Sequence, residues 1–443
     1  LPLYILGCEE NGKAACMSKL RSIRSTKFRD FKRLDMRLAI IPEGPLAYDG
    51  KNYFFTNGGG YYIERIATHF DQVTVIGHAF KMGDTYFHSM SEYAFNSENI
   101  DFVEMPLKKG FFGKLWQLVL STKTILKHFK DIDCFYLFMP GYPAAIASIL
   151  CRMTGKPYML YLAADWEESA DILFPLKESK NSFLRSVFAR LVAWFQSQAV
   201  RGARVTLTAG RRLQEKFYEY GRPVVETIPR LNWPAFKLYK RDNTCENDVI
   251  TLLFVGYLLK RKGADYFIEA VKNLNGRGYN VRGVILGSGD QEKVLRQKVE
   301  DEGLSQVIDM KGHIANGDQV IQEYRNADIF VLPTLGGEGF PRVLYEALSQ
   351  SLPIVTTNVC GIPRKLIPNE LGLFAPPGDL EAMSNQIERL IKDSSLRQKL
   401  INNGLSFMQN LKGQSDGGQQ VANLYYEHVE GQVANDDTNK RAA

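Results

Sequence analysis

Residues 250–275 read ITLLFVGYLLKRKGADYFIEAVKNLN. An unbroken apolar run ends at Gly256, a short basic turn carries Lys260, Arg261 and Lys262, and Gly263 opens a helical segment. A strand buried on both faces reads as a continuous hydrophobic run rather than an alternating one. Strand, glycine turn and helix make one half of a parallel βαβ unit. The rhythm repeats downstream: VRGVILGSG (281–289), a helix over 291–301, VIDMKGHI (307–314), VIQEYRNA (320–327), DIFVLPT (328–334), YEALSQS (345–351) and PIVTTNV (353–359). It also appears upstream, in RLAIIPEG (37–44), YYIERIATHF (61–70), QVTVIGH (72–78), CFYLFMPG (134–141), AAIASILCRMTG (144–155), PYMLYLAAD (157–165), a long helical stretch near 181–200 and RVTLTAG (204–210).

Two such series exceed what one core accommodates, and 443 residues is a length suited to two domains. The expected fold is α/β, with two doubly wound Rossmann-like domains facing each other across a cleft. The expected boundaries are a basic extension over 1–36, a first domain over 37–230, a linker over 231–249, where IPRLNWPAFKLYKRDNTCEND (228–248) has two prolines and no period, a second domain over 250–410, and a flexible segment, final helix and disordered tail over 411–443. LKGQSDGGQQ (411–420) reads as flexible.

The formal net charge of +6 over this length does not point to nucleic acid. The six cysteines form no Cys-x-x-Cys pair and have no histidine cluster beside them, which suits reduced thiols in the cytoplasm rather than a metal site or a disulfide frame. No apolar run reaches 18 residues, so no spanning helix is expected. Two stretches, 108–130 and 183–204, mix Lys or Arg with Phe, Trp and Leu. Such helices are more often core, but they also fit an anionic membrane surface.

In open parallel sheets, ligands bind beyond the carboxyl ends of the strands, and two facing sheets place the site in the cleft between them. A lysine beside a helix N-terminus, as at Lys262, suits a phosphate, although a plain surface lysine is commoner. GSG (287–289) alone is a tight turn. EGFPRVLYEA (338–347) places Glu338 and Glu346 eight positions apart, a spacing that chance alone supplies in most proteins of this size.

Taken in order, these stretches resemble the retaining nucleotide-sugar glycosyltransferases of family 4, which share the GT-B fold. The resemblance covers about 250–393 and includes GLFAPPGDLEAMSNQIERLIKD (372–393); in the first half it rests on strand rhythm and a glycine-rich stretch. It implies transfer of a sugar from a nucleotide-diphosphate donor, UDP or GDP rather than ADP, to a hydroxyl acceptor with retention and without metal or further cofactor. Its Glu-x7-Glu signature falls on Glu338 and Glu346. Glu338 and Lys262 are then the catalytic candidates. Glu346 takes the ribose hydroxyls, and Gly256 and the Gly339-Phe340-Pro341 backbone line the donor. Glycine permits close backbone approach, and a proline is tolerated in a first helical turn. Gly58 and Gly59 in TNGGGYYIER (56–65) correspond to a glycine loop that approaches the phosphates from the first domain.

The pattern is departed from at Tyr257, where an arginine is usual, at Ser351 in place of a glycine, and at Arg364 in place of a glutamate. A histidine expected after a middle strand of the first half has no counterpart at YLFMPGY (136–142) or YLAADWEES (161–169). Asp165 and Trp166 are the acceptor-side candidates, Asp165 to orient a hydroxyl and Trp166 to stack on a sugar; a loop-capping aspartate is the alternative. The acceptor expected by analogy is a glycan or lipid-linked glycan of the cell envelope or an exopolysaccharide, reached from the cytoplasmic face of the membrane. The rival reading is a non-catalytic GT-B relative that binds nucleotide or sugar.

Overall fold

The computed structural model describes residues 34–84, 93–107, 111–165, 182–231, 237–314, 317–336, 340–412 and 416–430. The first sheet is built from β1 (Leu34–Ile41), β2 (Leu46–Tyr48), β3 (Tyr53–Phe55), helix α1 (Asn57–Ala67), β4 (Phe70–Lys81), β5 (Tyr93–Ala94), β6 (Ile100–Met105), α2 (Phe111–His128), β7 (Cys134–Met139), α3 (Tyr142–Thr154), β8 (Tyr158–Leu162), α4 (Ser182–Gly202), β9 (Val205–Thr208), α5 (Arg211–Phe217) and β10 (Val224–Glu226). Its parallel part runs β6-β4-β1-β7-β8-β9-β10; β2 also pairs with β4 in parallel, and β3 and β5 continue from β2 through antiparallel pairs.

The second sheet follows with β11 (Ile250–Val255), α6 (Ala264–Gly276), β12 (Val281–Leu286), α7 (Glu292–Asp301), β13 (Ile308–Gly312), α8 (Asp318–Asn326), β14 (Ile329–Leu332), α9 (Arg342–Ser349), β15 (Ile354–Thr357), α10 (Ile362–Leu366), β16 (Leu373–Ala375), α11 (Leu380–Lys392) and α12 (Ser394–Lys412). All its pairs are parallel, in the order β13-β12-β11-β14-β15-β16. The strand order of each sheet reverses at its middle, between β1 and β7 and between β11 and β14, while the strands stay parallel. Those are the topological switch points where crevices open in doubly wound folds.

Burial follows from the pleat. In β7, Cys134, Tyr136 and Phe138 join the cluster on one face of the first sheet, and Phe135, Leu137 and Met139 join the cluster on the other. A third cluster fills the second domain around Leu252, Phe254, Phe330 and Leu344. The chain ends by returning to the first domain: α13 (Gly417–Tyr425) puts Val421, Leu424 and Tyr425 into that domain's core. Asp416 pairs with Arg65, whose Nε donates to it at 2.8 Å, and Gln420 takes the Ile228 amide at 2.8 Å and donates to the Glu226 carbonyl at 2.9 Å.

Several expectations change here. The basic extension stops at residue 33 rather than 36, because Leu34–Met36 begin β1, and residues 1–33 lie outside the described residues. Leu411–Lys412 finish α12, and Gly417–Gln420 are the first turn of α13 rather than a flexible segment. A β-carbon on Gly418 would overlap the Arg65 carbonyl, so these glycines serve close helix packing against α1. Residues 237–249 of the linker lack regular structure but are tied to the second domain. Arg241 donates to the carbonyls of Tyr324, Arg325 and Ala327, and the buried Asp328 carboxylate accepts the Cys245 amide at 2.7 Å and the Thr251 amide at 2.8 Å. Ser351 adopts φ +57°, the left-handed conformation that explains why a glycine is expected there.

Asp328→Ala removes two charge-assisted hydrogen bonds and strands two amides. It is expected to destabilise the second domain by about 3 kcal/mol in urea unfolding, whereas Asp309→Ala, whose partner Arg282 is surface-exposed, should change stability by under about 1 kcal/mol.

Candidate active site

The second domain's wall of the cleft is held by three loops laid across one another. After β11 the chain turns through Lys260–Lys262, and Gly263 stands at φ +74° with no room for a β-carbon beside the Pro333 carbonyl. The Leu335 amide donates to the Arg261 carbonyl at 2.7 Å, which fixes the basic turn to the end of β14. Gly287, at φ +143°, lies so close that a β-carbon would overlap the Gly256 carbonyl. The Leu258 amide donates to the Ser288 carbonyl, and the Gln291 amide to the Leu258 carbonyl, both at 2.9 Å. The GSG turn is therefore the contact that lets the loops after β11 and β12 cross.

Helix α9 enters this frame from below. Phe340 packs on Tyr345 with ring centroids 4.5 Å apart. Pro341 is the cap residue, one place before the first helical turn in which the sequence reading set it. Glu346 is only 7% exposed, and its Oε2 accepts a hydrogen bond from the Tyr324 hydroxyl at 2.9 Å. Burial pushes the Tyr324 phenol well above its ordinary pKa, and the Glu346 charge adds to this. Nothing in the spacing of two glutamates reveals that Glu346 is buried.

Gly256, Lys262, Phe340, Pro341 and Glu346 share one cleft of about 370 Å³, and Tyr257, half exposed, lies in the same wall. The opposite wall comes from the first domain and includes Tyr161, Thr227 and Arg230. The structure sets two further groups of expected residues elsewhere. Gly58 and Gly59 belong to the first turn of α1 rather than to a loop, and they are not in the lining of the cleft. Gly58 packs directly behind it, where a β-carbon would overlap both the Arg230 carbonyl and the Arg342 guanidinium. Asp165, just beyond β8, is bound to Lys216 at 2.7 Å and does not line the cleft. Glu338, Gly339 and Trp166 lie outside the described residues.

The structure adds cations that the sequence reading passed over. Arg230, Arg342 and Lys365 line the cleft with Arg261 and Lys262, and among the described residues of the lining Glu346 is the one carboxylate. Arg230 stacks over Tyr161 at 4.2 Å and donates to Glu43 at 2.9 Å. Burial works against its charge, but Glu43 and Tyr161 hold it above the ordinary arginine range. Lys365 joins the two domains: its Nζ donates to Glu226 at 2.6 Å and to the Tyr345 hydroxyl at 2.7 Å. Burial lowers the Lys365 pKa, but Tyr345 and Glu226 outweigh it and the net shift is upward. Arg364 makes a second interdomain ion pair, with Glu215. Arg342 sat in plain view inside EGFPRVLYEA; Arg230 and Lys365 carry no sequence signal, because their partners are far away in the chain. The one buried histidine of a first-domain strand, His78 in β4, bonds to the Met105 carbonyl and to Tyr142, away from the cleft lining.

Among the described residues, no group of three or more His, Cys, Asp or Glu is placed to hold a metal ion, and no helix is long and apolar enough to cross a membrane.

Residues 236–407 match the family model described as glycosyl transferases group 1. The capsular polysaccharide biosynthesis glycosyltransferase CapM of Staphylococcus aureus is 33% identical over 177 residues, which is 39% of this chain and 45% of CapM. The chain thus spans less than half the length of that relative. Protein CapJ of Staphylococcus aureus aligns more fully, over 83% of this chain and 89% of its own, at 22% identity. Among solved structures, the sucrose-phosphate synthase of Thermosynechococcus elongatus gives a TM-score of 0.68 at 16% identity, covering 88% of this chain and 98% of that one. HepE of Anabaena, solved in complex with UDP-glucose, gives 0.62 at 18% identity, covering 88% and 100%. These likenesses show the fold, which is GT-B.

Gly287→Ala is expected to destabilise the second domain by roughly 3 kcal/mol, because it combines a disfavoured φ with a backbone overlap. Gly276→Ala, with open space around it at the end of α6, should instead gain up to about 1 kcal/mol. Denaturant unfolding of the two variants checks both signs.

Proposed function

We propose that this protein is a retaining, metal-independent glycosyltransferase that moves a sugar from a nucleoside-diphosphate donor, UDP or GDP rather than ADP, to a hydroxyl of a glycan or lipid-linked glycan. The observation that carries this reading is the buried Glu346 carboxylate in a cation-lined cleft at the β11/β14 switch point. A carboxylate accepts two donors at once and so suits the ribose diol, each such bond contributing roughly 1.5–3 kcal/mol. Lysine, arginine and helix N-termini suit a diphosphate, and they can neutralise the leaving charge without a metal ion.

In the proposed mechanism Glu346 anchors the ribose and Lys262 stabilises the departing diphosphate. The Gly339-Phe340-Pro341 backbone and Glu338 meet the donor sugar. The acceptor hydroxyl attacks from the side the diphosphate leaves, so the anomeric configuration is kept. The protein's contribution is electrostatic and positional rather than nucleophilic.

The names of relatives support the setting. CapM is described for capsular polysaccharide biosynthesis, AmsK of Erwinia amylovora for amylovoran biosynthesis, and a relative from Mycobacterium leprae as a phosphatidyl-myo-inositol mannosyltransferase. HepE has been solved with UDP and with glucose. Tyr257 favours the rival reading, a non-catalytic nucleotide binder, since that position supplies no charge for a phosphate.

The proposal includes a peripheral site on the inner face of the membrane. Helices α2, α3 and α4 pack side by side. Together they expose Trp116, Leu126, Met153, Leu191 and Trp194. Lys123, Lys127, Arg152 and Arg190 are exposed on the same helices. Apolar side chains interleaved with cations fit an anionic lipid surface.

Thermal unfolding in the presence of UDP, GDP and ADP, with and without Mg²⁺, tests the donor class: one nucleotide should raise the midpoint equally with and without metal. Glu346→Ala should abolish that rise, while Glu338→Ala should keep it and lower turnover. Binding that survives both changes with unaltered kinetics would sink the assignment. Vesicles of phosphatidylcholine with phosphatidylserine should sediment the protein and pure phosphatidylcholine should not, and Trp116→Asp with Trp194→Asp should leave it in the supernatant.

A further inference from the structure

Arg342 is the first residue of α9 and Glu346 stands four residues on, so the two side chains share one helix face, about 6 Å apart along the axis. Both line the cleft. Glu346 is the deeper of the two, held by Tyr324, and Arg342 lies one turn nearer the helix N-terminus. That separation resembles the one between the ribose diol and the diphosphate of a nucleotide lying along the helix.

The surroundings of Arg342 are unusual for a guanidinium. Its Nη1 faces Gly58 in the first turn of α1, where only a glycine leaves room for it. Its charge reaches Tyr161 in the first domain and Tyr324 in the second, opposing the rise that burial imposes on both phenols. The guanidinium is therefore suspended between the domains, at the positive ends of two helices, α1 and α9. Like charges gathered this way repel one another until an anion comes between them. The neighbouring cations on that side are already committed: Arg230 is bound to Glu43, and Lys365 to Glu226. Among the described residues Arg342 has no ion-pair partner. In the same wall, position 257 offers a tyrosine and no charge.

We propose that Arg342 binds the diphosphate of the donor, with α9 acting as a ruler that sets Glu346 on the ribose and Arg342 on the phosphates. Gly58, behind the cleft wall, holds the guanidinium in place from the first domain. This rests on the reading of the cleft as a nucleoside-diphosphate site. It makes Arg342 the residue that distinguishes nucleoside diphosphates from monophosphates, which reach the ribose contact but fall short of the guanidinium.

The test is calorimetric titration of the full chain with UDP, UMP, GDP, GMP, ADP and AMP, in the wild type, Arg342→Ala, Arg342→Gln and Arg342→Lys. The wild type should prefer one diphosphate over its own monophosphate. Arg342→Ala and Arg342→Gln should each lose about tenfold or more for that diphosphate, and under about threefold for the monophosphate, with unfolding midpoints close to wild type. Arg342→Lys should recover part of the loss. Arg342→Gln keeps the side chain's length and packing, so it carries the test if the alanine variant is unstable. Equal losses for diphosphate and monophosphate, or no loss for either, would overturn the role of Arg342 while leaving the nucleotide site standing. A wild type that binds none of the three diphosphates would overturn the nucleotide reading and this inference with it.

Discussion

The contact on which the cleft depends is the crossing of backbone at the switch point of the second sheet. Gly287 lies against the Gly256 carbonyl, and Gly263 lies against the Pro333 carbonyl. Two loops cannot cross at that distance with side chains between them. Because they do cross, the Lys262 turn is pinned to the end of β14, and α9 begins directly beneath it. The lysine, the helix N-terminus and Glu346 then face one space. Shifting the crossing by the width of a methyl group would move all three together, because each loop hydrogen-bonds to the next.

The second sheet was legible for a physical reason. Parallel strands buried on both faces must be continuously apolar, and Ile250–Val255, Val281–Leu286 and Ile329–Leu332 are. The strands of the first sheet's core read the same way. Its edge did not: β2, β3 and β5 have two or three residues each, too few for any period to show. The glycines misled where their use is packing rather than freedom. Gly58 and Gly59 read as a loop and Gly417–Gly418 as a flexible tail, yet both pairs sit in first turns of helices that press against each other. Close approach and chain mobility leave the same mark in a sequence, and only the partner across the contact tells them apart.

The site divides along the same line. Lys262, Gly256, Phe340, Pro341 and Glu346 lie within or beside strand ends that the apolar pattern locates, so their convergence could be read. Arg230 and Lys365 owe their positions to Glu43 and Glu226, 187 and 139 residues away. A charge whose partner is that distant gives no local signal. Asp165, at the end of a strand, is held by Lys216, a partner 51 residues on that gives no local signal either.

The two halves of the cleft differ in how they hold charge, and this bears on how the domains act. On the first-domain side, Arg230 is stacked on aromatic rings and bound to Glu43, so its charge is balanced within its own domain. Lys365 and Arg364 are balanced only by Glu226 and Glu215 of the other domain. Separating the domains would strand Lys365 in an apolar setting between Phe340 and Tyr345, which is a costly state for a lysine. The ion pairs on α10 thus tie the two domains together, and Gly58 and Arg342 bring them into contact a second time. On the proposed reading, an anion at Arg342 would add attraction beside that contact without displacing an ion pair of the described residues. The contacts between the domains are thus already made by the protein's own residues, and a bound anion would add to them rather than create them.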